Sequence, residues 1–224
     1  MAREATPNKW GQCALVEVLH SCATATSFNP ERLARDVIVI GASLGGIQAV
    51  TELLSRLPGD LPAYIGVVIH RGAKAPSNWS VTLGMRTKLR VVEPVAGASL
   101  VRGTVYVAPS DCHMMFESGA ISLDGGAKQH FTRPAADPLF ASAARAYGRR
   151  VVGVVLTGGG HDGLQGLRDI AVAGGLALVQ KPSQSQDPEM PEYAILHDHV
   201  LAVLTIDEIG DALVRLVRGE AWSS

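Results

Sequence analysis

The chain has 224 residues, 47 % of them hydrophobic, with 20 basic residues set against 21 acidic ones, a profile of one well-cored globular domain with no excess charge for nucleic acid or an anionic membrane surface. Its three cysteines, Cys13, Cys22 and Cys112, have no metal-ligand spacing and read as reduced thiols of a cytoplasmic protein. No run approaches the roughly 18 apolar residues of a membrane span, and the first residues lack the pattern of a secretory signal.

Residues 1–35 show no strong period and read as an amino-terminal extension with one short helix over 12–21. From there, short apolar runs alternate with helical patterns. The strand expectations are 37-VIVI-40, 64-YIGVVI-69, 89-LRVVEPV-95, 105-VYVA-108, 151-VVGVVLT-157, 176-LALVQ-180 and 200-VLAVLT-205, mostly continuous rather than alternating, as strands buried on both faces should be. Helices are expected over 47–57, where Ile47, Val50, Leu54 and Leu57 share a face, over 137–147, and over 206–217, where Ile206, Ile209, Leu213 and Leu216 do the same. The stretch 113-HMMFESGAISL-123 breaks the rhythm at Ser118-Gly119 and reads as a β-hairpin at one edge. The whole predicts an α/β fold: a doubly wound, mostly parallel sheet with helices on both faces.

That placement puts Ser43 of 37-VIVIGASLGG-46 in the turn after the first strand, at the carboxyl edge where open α/β sheets hold their ligands. A serine between small residues at a helix N-terminus suits a nucleophile with backbone N–H groups beside it; it equally suits a helix cap. The second strand ends in His70, and the fifth runs out through 156-LTGGGHDG-163, which carries His161 and Asp162. If the strands are parallel, a hydroxyl, an imidazole and a carboxylate meet in one crevice, the set in which a base deprotonates serine and an acid orients the base. Taken singly, His70 also fits a strand-end histidine bonded to backbone, and Asp162 the N-cap of the next helix.

With these residues in place, the chain from about Asp36 to Leu216 resembles the catalytic domain of the CheB-type chemoreceptor protein-glutamate methylesterases. The resemblance rests on 40-IGASLGG-46, 69-IH-70, 105-VYVAPSDCHM-114, 133-RPAAD-137, 156-LTGGGHDG-163 and 190-MPE-192, in the family's order and at similar spacings. It implies a catalytic domain over 36–224, with Ser43 as nucleophile, His70 as general base and Asp162 as acid. It implies hydrolysis of glutamyl methyl esters with release of methanol, deamidation of receptor glutamines as a second activity, and no metal or cofactor. The implied partner is the cytoplasmic domain of a methylated chemoreceptor. Leu44 and the turn Gly158, Gly159 and Gly160 are the expected oxyanion and substrate region.

The pattern also departs from the family. Leu44 stands where a small residue or threonine is common, Gly159 where methionine is frequent, His161 where asparagine is common, and 71-RGAKAPSN-78 replaces a methionine-proline continuation. In 133-RPAADP-138, Arg133 and Asp137 could bind a substrate carboxylate, but Asp137 fits better as the cap of the helix that follows. Cys112 with His113, and His197 with His199, lack the further ligands of a metal site. Two other functions are weighed: an α/β-hydrolase with a late base at His197 or His199, and a binding module of the same fold whose strand-end crevice takes a phosphate or a partner. Family members usually carry an amino-terminal receiver domain. About 35 residues before the first strand fall short of the roughly 100 of such a domain, so the expectation is an esterase without one, either constitutively open or controlled by a separate regulatory protein.

Overall fold

Valine and isoleucine, stiff at χ1 and well suited to a pleated surface, dominate the strands that build the centre of the molecule. The computed structural model describes residues 33–72, 78–197 and 200–220. The expected extension up to residue 32, with its helix over 12–21, and the loop 73–77 lie outside the described residues. β1 (Val37–Ala42), β2 (Tyr64–Ile69), β3 (Arg90–Val92), β4 (Thr104–Val107), β7 (Val151–Val155), β8 (Leu176–Gln180) and β9 (Ala202–Leu204) form one sheet in the order β3-β4-β2-β1-β7-β8-β9. Every pairing in it is parallel.

Successive side chains of a strand point to opposite faces, and β1 shows both faces dry. Ile38, Ile40 and Ala42 pack with α1 (Gly46–Arg56), Leu83 of α2 (Trp79–Gly84) and α6 (Ile206–Val217), while Val37 and Val39 pack with α3 (Ala136–Tyr147), α4 (Leu164–Val172) and α5 (Glu189–Leu196). A continuous apolar strand is the sequence signature of this double burial. α6 begins with a capping box, in which the Thr205 hydroxyl accepts from the Glu208 N–H and the Glu208 carboxylate accepts from the Thr205 N–H.

The hairpin is displaced from its expected place. β5 (His113–Phe116) and β6 (Ile121–Asp124) pair antiparallel as a separate two-stranded sheet and not on an edge of the parallel one. The physical reason is the apolar row Met114, Phe116 and Ile121, which buries more surface against a sheet face and α3 than edge pairing would. A side-chain carbon at Gly66 of β2 would lie 2.8 Å from the Phe116 ring, and the Phe116 N–H donates to Ser142 Oγ of α3 at 3.0 Å.

From β1 the chain winds one way through β2 to β3 and β4, and later the other way from β7 through β8 to β9. The reversal between β1 and β7 is a topological switch point, where crossing helices diverge and leave a crevice beyond the carboxyl ends of the strands.

Candidate active site

Residues from three strand ends line that crevice. β1 and β2 stay in register through Ala42 opposite Ile69, and the His70 N–H donates to the Ala42 carbonyl at 2.9 Å. Ser43 and His70 are thus the next residues on two adjacent parallel strands, about one strand spacing of 4.8 Å apart. Helix α1 takes Gly45 as its N-cap and receives no side-chain capping bond, so the Ser43 hydroxyl is not a cap. No hydrogen bond joins that hydroxyl to the His70 ring. Such a contact commonly tightens only with substrate in place.

The glycine turn after β7 presses against the serine. The Ser43 N–H donates to the Thr157 carbonyl at 2.9 Å, and a side chain at Gly158 would come within 2.5 Å of Ser43 Cβ and 2.5 Å of Met190 Sδ; only glycine fits there. Thr157 Oγ1 donates to the Leu44 carbonyl at 3.0 Å and accepts from the Asp187 N–H at 2.9 Å, tying the Ser43 turn to the segment before α5. Of the three glycine amides expected to serve an oxyanion, two are occupied. The Gly158 N–H donates to the Asp187 carbonyl at 2.9 Å and the Gly160 N–H to the Glu189 carboxylate at 2.5 Å. The amides of Gly159 and Leu44 have no protein acceptor among the described residues. Gly159 also lies against acids, since a side-chain carbon there would be 3.0 Å from Asp187 Oδ2.

Asp162 holds the His70 ring. Its Oδ2 lies 2.6 Å from His70 Nε2, and the two side chains are 0 % and 16 % exposed respectively. Oδ2 also accepts from the Ala136 N–H at 2.5 Å, while Oδ1 accepts from the N–H groups of Asp137 at 3.1 Å and Gly163 at 2.9 Å. Burial drives this carboxyl up, but the hydrogen bond and charge of His70 and the donors of Ala136 and Asp137 outweigh it, and its pKa lies below the ordinary value. With Nε2 committed to Asp162, Nδ1 is the nitrogen left to accept a proton.

Asp162 caps no helix of its own: the N-cap of α4 is Gly163, and Asp162 satisfies the first N–H groups of α3 instead. The converse holds for Asp137. It does not cap α3, whose N-cap is Ala135 without a side-chain bond; its Oδ1 accepts the Gly166 N–H of α4 at 2.7 Å. The two helices exchange capping acids because their N-termini converge on one buried spot. The second oxygen of Asp137 pairs with His130 Nε2 at 2.9 Å. Burial first, then the nearby charge of Asp162, hold the Asp137 carboxyl above its ordinary pKa against the pull of Gly166 and His130.

The ligand-type atoms of His130, Asp137 and Asp162 fall within 4.8 Å of one another. Four N–H groups on Asp162 and two on Asp137 nonetheless occupy these carboxylates, which makes a hydrogen-bonded network and not a ready metal centre. His161, beside the acid in sequence, turns outward and meets His130 edge to face at 4.6 Å between ring centres. Leu44 is 57 % exposed at the lip of the site. Arg133 is locked by Asp111 at 2.7 and 3.0 Å and by the carbonyls of Gly125 and Gly126, a bracing role. His113 is buried with both ring nitrogens engaged, by the Ala127 carbonyl and the Ala135 N–H. His197 is exposed and bonded to the Tyr193 carbonyl, and His199 lies outside the described residues.

Thr157, Asp137, His130 and Glu189 were not singled out for these contacts from sequence. A signal existed only for Thr157, a hydroxyl at the end of a buried strand entering a glycine turn; the contacts of Asp137 with Gly166 and of Glu189 with Gly160 join elements distant in the chain.

The CheB methylesterase family profile matches residues 38–213. A protein-glutamate methylesterase/protein-glutamine glutaminase of Anaeromyxobacter dehalogenans is 43 % identical over 190 residues, covering 84 % of this chain and 56 % of that protein. A Leptospira interrogans protein named as a putative enzyme of the same kind is 36 % identical over 182 residues, covering 81 % of this chain and 94 % of its own. The chain thus spans little more than half the length of the first relative and nearly all of the second. The crystal structure of the Thermotoga maritima CheB methylesterase catalytic domain superposes with a TM-score of 0.78 at 30 % identity, covering 83 % of this chain and all of that one.

Proposed function

The chain belongs to the CheB methylesterase family, and from that premise we propose that it is a serine hydrolase removing methyl groups from glutamyl methyl esters of chemoreceptors, with deamidation of receptor glutamines as a second reaction of the same site. The observation that carries the reading is the 2.6 Å contact of His70 Nε2 with a fully buried Asp162, at the strand end next to Ser43. It supplies a base whose tautomer is fixed by an ionised acid.

In this mechanism His70 Nδ1 takes the Ser43 proton as Oγ attacks the γ-carbonyl. The negative oxygen forms against the Leu44 and Gly159 amides, each such donor being worth on the order of 3 kcal/mol in serine hydrolases. The imidazolium returns its proton to the departing methoxide, releasing methanol and leaving an ester between Ser43 and the glutamyl chain. Water, deprotonated by His70, then cleaves that ester to the free glutamate. A primary amide follows the same course with ammonia as leaving group. No step calls for a metal or a cofactor.

The reading places the enzyme in the cytoplasm, acting on the cytoplasmic domain of a methylated receptor, either constitutively open or under a separate regulatory protein. No helix of the described residues is long and apolar enough to cross a membrane. Methanol release from a methyl-labelled receptor fragment tests it: the wild type releases methanol and Ser43→Ala does not. Equal, background release from both would overturn the assignment.

A further inference from the structure

Beside His70 lies a cavity of about 330 Å³ lined by His70, Arg71, Lys128, Phe131, Thr132 and Arg133 among others. Its outer wall is an unusual turn. Gln129 and Thr132 exchange two backbone hydrogen bonds, of 3.1 and 2.9 Å, around a two-residue loop, His130-Phe131. Both loop residues are left-handed, with φ of 49° and 62°. That is the pattern of a type I′ turn, which selects Asn-Gly or Gly-Gly because a side chain at positive φ crowds the backbone. Phenylalanine is a poor choice for it on local grounds, since a bulky aromatic at positive φ is a true outlier.

The tertiary structure forces this turn from both sides. His130 is anchored on Asp137 at 2.9 Å, Thr132 Oγ1 donates to the Pro134 carbonyl at 2.8 Å, and Arg133 is clamped by Asp111. His130 accounts for its own position by that contact. Phe131 does not, because its side chain touches none of the core and the residue is 98 % exposed. A strained backbone that presents an apolar ring to water beside a catalytic base is maintained against both local preference and hydration.

We propose that Phe131 is a specificity-determining residue: it anchors the polypeptide carrying the ester by packing against an apolar side chain next to the modified glutamate. The proposal rests on the methylesterase reading for its substrate. The geometry supplies the rest. The cavity is large enough for a side chain but not for a folded element, so a protein substrate must lie across its rim, and Phe131 is the aromatic on that rim. The braced turn fixes the Phe131 backbone, so binding orders only the two torsions of the ring, a small cost for a large apolar contact.

The test separates binding from chemistry. In a Ser43→Ala background, which does not turn substrate over, fluorescence anisotropy with a methylated receptor cytoplasmic fragment should show Phe131→Ala weakening binding about tenfold and Phe131→Tyr retaining most of it. In the active enzyme, the ratio of kcat/KM on that fragment to kcat/KM on N-acetylglutamate γ-methyl ester amide should fall about tenfold for Phe131→Ala, through KM on the fragment. Phe131→Gly should raise Tm while weakening binding, because glycine relieves the left-handed backbone. Unchanged affinity in Phe131→Ala, an equal loss on both substrates, or absence of binding by the Ser43→Ala parent would overturn the proposal. Firm, Phe131-dependent binding by an otherwise intact enzyme that releases no methanol would instead overturn the methylesterase reading and leave the anchor standing.

Discussion

Replacing Asp162 by Asn changes one oxygen to an NH2 group, and the structure says what each contact then does. Two donors converge on each carboxylate oxygen: His70 and Ala136 on Oδ2, Asp137 and Gly163 on Oδ1. Asparagine has one carbonyl. In its better orientation the carbonyl keeps Asp137 and Gly163, and the NH2 faces the Ala136 N–H, a buried donor left without an acceptor at a cost of about 1–3 kcal/mol. The two surviving bonds lose their ionic character, roughly another 1–2 kcal/mol in total. The sum of about 2–5 kcal/mol is below the stability of an ordinary domain, so the variant should fold. The catalytic loss should be larger. An NH2 group donating to His70 Nε2 forces the ring proton onto Nδ1, the nitrogen that receives the serine proton in the proposed mechanism, and the corresponding tautomer error in serine proteases lowers kcat by about 10⁴. Urea denaturation and methanol release, both measured on the purified variant, check the two numbers. A kcat within about tenfold of wild type, with the protein folded, would refute the assignment of Asp162 as the acid that orients His70.

Three more outcomes follow from the same geometry. His70→Ala should abolish most of the catalysed rate while His197→Ala, an exposed residue bonded to the Tyr193 carbonyl, leaves it intact; the reverse pattern in a methanol assay would point to a late-histidine hydrolase. Leu44→Ala should shift Tm hardly at all, as expected of a half-exposed surface residue within about 0.5 kcal/mol, and alter acceptance of receptor esters; a loss of several kcal/mol would place Leu44 in the core. Asp137 has a raised folded-state pKa, so it opposes folding above that pKa and ceases to do so as pH falls toward its unfolded value near 3.8. Asp137→Asn, which keeps an acceptor for Gly166, should therefore match or exceed wild-type stability at pH 7, with the difference shrinking as pH approaches 4. Thermal melts across that range, showing instead a gap that widens on acidification, would contradict the direction of the shift.

The sheet was legible because every strand that lines the crevice is a buried parallel strand, and burial on both faces writes itself as an unbroken run such as 37-VIVI-40. The meeting of His70 with Asp162 was legible for a related reason: parallel strands end at one edge, so residues that follow β2 and β7 could be expected to converge there, beside Ser43 after β1. The hairpin's location was not, since Met114 and Phe116 declare that they are apolar but not which surface covers them. α2, six residues long, is too short to show a helical period. The exchange of caps between Asp137 and Asp162 was hidden for a different reason. Each acid sits where it could cap its own neighbour, and only the close approach of α3 to α4 redirects both. Glu189 taking the Gly160 amide is likewise invisible, because an exposed acid in a helix's first turn already has a local explanation in the helix dipole.

That exchange ties chemical competence to the order in which the molecule comes together. An acid whose acceptors are filled by the first turn of another crossover has no defined position while either crossover is undocked. A chain that has formed its central strands, and even its serine turn, still has an unplaced carboxylate. On the proposed role of Asp162, brief opening of α3 or α4 would switch hydrolysis off without melting the sheet. Amide exchange should thus report on function: the Ala136, Asp137 and Gly166 amides would trade deuterium together, and the condition at which they begin to do so under mild denaturant is the condition at which turnover should fail.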